Sequence, residues 1–175
     1  MAFSFIRGYN YSISMSKIVL DSNIYIDGLM GHRQGFTNAL YCRIKQCNVS
    51  VYLSTNIVNE VCRVLRRNRF SGDRMLFALD ELWGVATHYV EPWPLDLDTC
   101  SHSDDVWVAG AAVACQADYL VTRDIDFLAK VSIDRTRLIH PLKYYRLLEG
   151  QLVSKPSYSP PLSSHSASIS PAPTV

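Results

Sequence analysis

The sequence is short of several features that would place it quickly. Its five cysteines, Cys42, Cys47, Cys62, Cys100 and Cys115, include no CxxC pair and no matching histidine spacing. That excludes a structural zinc site of ordinary spacing and leaves the thiols as reduced and mostly core filler. No uncharged apolar run reaches the roughly 18 residues needed to span a membrane. The opening "MAFSFIRGYNYSISMSK" carries Arg7 in its middle and no apolar h-region, a poor fit to a secretory signal. A reducing cytoplasmic setting is therefore expected. Formal net charge is only +1, so no overall field forces a nucleic-acid or membrane reading, and any such surface must be local. No internal repeat is visible.

What remains is ordinary globular composition, with 48% hydrophobic and 19% charged residues among 175. That length suits one domain. Residues 1–16 read as an extension, and translation starting at Met15 would make residues 1–14 dispensable. Residues 151–175 read as a disordered tail, because "SKPSYSPPLSSHSASISPAPTV" is Pro/Ser-rich with little to bury. The folded unit is then about 130 residues, from 17 to 150, a common domain size.

Within it, short apolar runs alternate with helical patterns. Strands are expected at Lys17–Asp21, Val49–Leu53, Val85–Val90, Asp118–Thr122 and Arg137–His140. Between them, Phe36–Cys47 has Phe36, Ala39, Leu40 and Ile44 at helical spacing. Ser54 or Thr55 offers an N-cap for a helix carrying Ile57, Val58, Val61, Val64 and Leu65. Ser71 caps another, with Leu76, Leu79, Leu82 and Trp83 as its apolar side and Gly84 as its end. "VWVAGAAVACQA" is small and apolar enough to pack tightly as a helix. "RDIDFLAK" turns into a short helix, and Pro141 opens a last one that Gly150 closes. Apolar strands that do not alternate indicate a short, mostly parallel sheet covered on both faces, a three-layer α/β/α fold. Sites in such sheets form beyond the C-terminal ends of the strands.

Acids collect at that edge. Asp21 ends the first strand. Asp124 lies two residues past Thr122, with Asp126 beyond it. Asp104 and Asp105 open a helix, and Glu60 sits about a turn and a half into another. Each has an ordinary reading alone: Asp21 as a cap, Glu60 as a solvated acid, Asp104 and Asp105 as helix-dipole partners, Asp124 and Asp126 as turn residues. Capping does not require all of them at one edge, however. Clustered carboxylates repel unless a cation holds them. Hard oxygen ligands suit Mg²⁺ or Mn²⁺, whose natural chemistry is phosphodiester hydrolysis.

The blocks "KIVLDSN", "NEVCRVL", "SDDVWVAGAAVACQADYLVTRDIDFL" and "IHPLKYY", in that order and spacing, resemble the PIN-domain family in its VapC-like toxin branch. The likeness runs from about Lys17 to Leu148. It implies a metal-dependent endoribonuclease acting on RNA, with a cognate antitoxin as partner. It also implies four catalytic and metal-binding acids, at Asp21, Glu60, Asp105 and Asp124. Asp105 is preferred to Asp104 because the family's acid stands four residues before the helix's first alanine, here Ala109. Asp126 matches an assisting position, and Ser22 and Asn23 match small polar residues that orient ligands. Thr122 reads either as a donor to an acid or as a plain strand end.

RNA phosphates need cations. "RVLRRNR" supplies Arg63, Arg66, Arg67 and Arg69 after Glu60, and Arg74 and Arg123 add to it. A substrate role is expected for Asn23, Arg63, Arg66, Arg67 and Arg123, against the alternative of a solvated helix face. Tyr25 stacks on a base or packs in the core, and His102 is a minor candidate for a general base. Two other functions compete. A haloacid-dehalogenase-like phosphatase needs a second Asp two residues after the strand-end acid, where Asn23 stands. A non-catalytic PIN-like RNA-binding or interaction module would have lost turnover. A homodimer is expected through the helices around Phe36–Cys47 and Ser71–Trp83.

Overall fold

The structure, a computed structural model, describes residues 16–31, 34–93, 95, 103–130 and 132–153. The extension up to residue 15, the tail from 154, His102, Cys100 and the side chain of Asp104 lie outside the described residues. The chain begins with β1 (Lys17–Leu20), whose Ile18, Val19 and Leu20 are fully buried. Two helices follow, α1 (Ser22–Met30) and α2 (Gln34–Gln46), then β2 (Ser50–Leu53). Next come α3 (Thr55–Arg67), α4 (Gly72–Val85) and β3 (His88–Tyr89). The second half runs through α5 (Ser103–Ala114), β4 (Tyr119–Val121) and α6 (Ile125–Leu128). It ends with β5 (Ser132–Ile133), β6 (Thr136–Ile139) and α7 (Pro141–Val153).

The sheet order is β3-β2-β1-β4-β6-β5. Every neighbouring pair is parallel except β5–β6, where Ser132 faces Arg137. β1 lies inside the sheet, with Val19 beside Tyr52 of β2 and Leu120 of β4. Burial on both faces explains its unbroken apolar run. The fold is thus the expected mostly parallel α/β arrangement, with one antiparallel strand that the sequence pattern does not announce.

Several elements depart from expectation. α1 follows β1 after a single residue, although "SNIYIDGLM" holds β-branched Ile24 and Ile26 and a glycine. Tertiary burial of Ile24, Tyr25 and Asp27 overrides that weak propensity. Gly31 closes α1 in the left-handed conformation, φ 79°. At Gly28 a Cβ would stand 2.9 Å from the Thr37 methyl, so the glycine lets α1 and α2 approach closely. α4 presents Ala78, Leu82 and Val85 to the core rather than the expected stripe. Leu76 is 68% exposed and Trp83 51% exposed, because the small Ala78 lets the helix settle on a face rotated away from them. Gly84 lies within α4, and Gly150 lies within α7, which continues to Val153. Ala39 is exposed on α2. β3 is shorter than Val85–Val90, since Val85 still belongs to α4. In α3, by contrast, Ser54 caps the helix by accepting the Ile57 N–H, and Ile57, Val61 and Leu65 are buried as the spacing requires. Ala109, Ala111 and Ala112 are fully buried on α5. A Cβ at Gly110 would meet the Trp93 carbonyl at 2.1 Å, so the backbone of Trp93 lies directly on α5.

Candidate metal and catalytic centre

The ladder continues one step past β1 and β4. The Asp21 N–H donates to the Val121 carbonyl at 3.0 Å, and the Thr122 N–H to Ile139 at 3.1 Å. These bonds fix Asp21 and Thr122 side by side at the C-terminal edge of the sheet. Asp21 stands at the N-cap position of α1, yet its side chain makes no cap bond to that helix. It accepts side-chain bonds instead. Ser22 Oγ donates to Oδ1 at 3.1 Å, and Thr122 Oγ1 donates to Oδ2 at 2.6 Å. Asn23 Nδ2 donates both to Asp21 Oδ2 and to Thr122 Oγ1. Ser22, Asn23 and Thr122 thus converge on one carboxylate, with Thr122 a donor to it rather than a plain strand end.

Asp21 is only 7% exposed. Burial raises its pKa from 3.8 to about 6. The bonds from Thr122 and Ser22 oppose that rise, and the negative charges of Glu60 and Asp105 add to it. Glu60 on α3 and Asp105 on α5 are therefore electrostatic neighbours of Asp21, delivered by separate elements. Asp124 is tied to the same edge by its own N–H, which donates to Thr122 Oγ1 at 3.0 Å. One of its oxygens, Oδ1, accepts the Phe127 N–H at 3.0 Å and caps α6. Asp126 is exposed in the first turn of α6. Among the described residues, no group of three or more His, Cys, Asp or Glu side chains is drawn together closely enough to hold a metal ion.

The arginines divide. Arg63 is paired with Glu60 at 3.8 Å, one turn along α3, and more than half of its side chain is exposed. Arg66, Arg67 and Arg69 are exposed around the end of α3. Arg74 sits over the Phe70 ring, 4.1 Å from its centre. Arg123 turns inward and pairs with Asp27 of α1 at 2.6 Å. Asp27 carried no signal in the sequence, because its partner lies nearly a hundred residues away. Tyr25 is 1% exposed and packs in the core, out of reach of a nucleobase. A separate cavity of about 470 Å³ opens between α1, α2 and α4, lined by Tyr25, Leu29, Tyr41, Phe70, Phe77 and Glu81, and holds none of Asp21, Glu60, Asp105 and Asp124.

No curated protein matches the chain. Among solved structures it is similar to VapBC2 from Rickettsia felis bound to a DNA fragment from their promoter. That match has 19% identity and a TM-score of 0.51, over 71% of this chain and 98% of that one. It is similar also to VapBC-1 from nontypeable Haemophilus influenzae, with 14% identity and a TM-score of 0.53, over 72% of this chain and 98% of that one. At such identities these likenesses speak for the fold. The PIN domain pattern itself matches residues 17–126, from the first residue of β1 to Asp126, and the chain belongs to the PIN domain family.

Proposed function

We propose that this chain is a divalent-metal-dependent endoribonuclease, the toxin of a toxin–antitoxin pair. One observation carries the reading. A carboxylate at the sheet edge is buried, triply hydrogen-bonded and within electrostatic reach of two further acids, Glu60 and Asp105, an arrangement with little structural purpose of its own. The donor set fits a hard cation. Asp21, Glu60, Asp105 and Asp124 offer oxygen ligands, and Asn23 Oδ1 is buried beside them with no hydrogen-bond partner. A bound Mg²⁺ or Mn²⁺ would supply a polarised water and charge stabilisation for the leaving oxygen. The chain's own part is orientation. Ser22, Asn23 and Thr122 hold Asp21, and Thr122 holds the backbone of Asp124. Arg63, Arg66 and Arg67 offer cations to an RNA backbone. The Asp21→Asn and Asp105→Asn variants should lose Mn²⁺-dependent cleavage of single-stranded RNA while keeping the wild-type circular dichroism. Undiminished cleavage by either purified variant rejects the assignment.

The VapBC neighbours support an antitoxin partner, and Leu76 and Phe77 on α4 present apolar surface for a protein. A second reading, a PIN-like RNA-binding or interaction module without turnover, is favoured by the acids' not being gathered at ligating range among the described residues. Calorimetric titration with Mn²⁺ separates the two. Acid-dependent binding supports the nuclease, and its absence supports the module.

A further inference from the structure

We propose that the Arg123–Asp27 ion pair is a positioning brace that locks the Thr122–Asp124 turn onto α1 and so sets how Asp21 and Asp124 are presented. The catalytic part of this inference rests on the nuclease reading; the structural part does not. Arg123 stands between two residues of the site. Thr122 donates to Asp21 and receives both the Asp124 N–H and the Asn23 amide. Asp27 follows Asn23 by four residues, so both lie on one side of α1, a helical turn apart. α1 therefore grips the turn at two points, Asn23 to Thr122 and Asp27 to Arg123. Thr122 itself is already held by the sheet ladder and by Asp21, so the start of the turn is fixed. The contact at Arg123 adds a second hold from α1 on the step between Thr122 and Asp124.

The pair is also built for holding rather than for catching substrate. The side chains are 27% and 13% exposed, and the contact is 2.6 Å. The Arg123 Nε is buried without a hydrogen-bond partner. A guanidinium so enclosed has its charge matched and its reach already taken up by Asp27. It is a poor ligand for an RNA phosphate, unlike the exposed Arg66 and Arg67.

The test uses the full chain with Asp27→Asn, Arg123→Gln, the double variant and Arg123→Lys. In metal-free protein, amide hydrogen exchange at Asp124 and Phe127 should rise about ten-fold or more in each single variant, with Leu120 in β4 unchanged. With Mn²⁺ and single-stranded RNA, kcat should fall about ten-fold or more while KM stays within about two-fold. The double variant should be no worse than either single one, and Arg123→Lys should restore most of kcat by keeping a charge on Asp27. Unaltered exchange at Asp124 overturns the brace. So does a KM that rises in Arg123→Gln and falls in Asp27→Asn, the mark of a guanidinium that binds phosphate when released. Should Asp27→Asn not fold, the double variant, which strands no charge in the interior, supplies the same comparison. Wild-type protein that neither binds Mn²⁺ nor cuts RNA would reject the nuclease reading and leave the exchange measurement to decide the brace.

Discussion

At Asp21 two physical demands oppose each other. The carboxylate is buried near Glu60 and Asp105, which favours its protonated form, while Ser22 and Thr122 favour the charge. With the pKa at about 6 in the fold and near 3.8 in the unfolded chain, the native metal-free protein holds this proton over a range where the unfolded chain has lost it. The stabilisation is full below about pH 3.8 and is lost as pH rises through about 6, amounting to about 3 kcal/mol. Urea unfolding of metal-free wild type and Asp21→Asn at pH 5 and pH 7 should show the variant gaining on the wild type at the higher pH. Equal differences at both values would contradict this. Thr122 is the second residue-scale test. It is fully buried and its hydroxyl serves Asp21, Asn23 and Asp124 at once. Thr122→Val removes those bonds and should cost about 2 kcal/mol in chemical denaturation. Thr122→Ser, which keeps the hydroxyl, should recover much of it.

Among the elements, strands and most helices were legible in the sequence because buried parallel strands are short apolar runs and α3 has both a cap and a clean period. The places of Asp21 and Asp124 were legible because each follows the end of a buried strand, and the parallel sheet sends both ends to one edge, whereas nothing in the spacing alone says how near Glu60 in the middle of α3 comes to them. α1 was not legible, since its stability comes from packing against α2 and α3 and not from its own residues. Nor was the Arg123–Asp27 pair, which exists only once β4 lies beside β1. α4 shows why an apolar count misleads, because Leu76, Leu82 and Trp83 look alike in sequence and the fold buries only Leu82. Leu82→Ala should therefore destabilise by about 2–5 kcal/mol in thermal or urea unfolding, while Leu76→Ala should stay within about 0.5 kcal/mol. α5 gives a second check. Gly110→Ala drives a methyl into the Trp93 carbonyl and should cost about 1–3 kcal/mol, with altered fluorescence from Trp93.

For the whole molecule, the described surface carries Leu76, Phe77 and Trp83 on one helix, each more than half exposed. Such a strip suits a protein neighbour, either a second copy or an antitoxin. Sedimentation of wild type and a Phe77→Glu/Trp83→Glu variant over a range of concentrations, with and without antitoxin, should show the variant losing association with one of them. Loss of neither would remove α4 from consideration as an interface. The outermost strands narrow the choice of assembly mode further. β3 and β5 close the two sides of the sheet, and each is only two residues long. A foreign extended segment arriving at either side finds almost no free backbone rungs to pair with. Among the described residues the sheet thus offers little to strand-templated growth, and the side chains on its helices offer the larger surface to a partner.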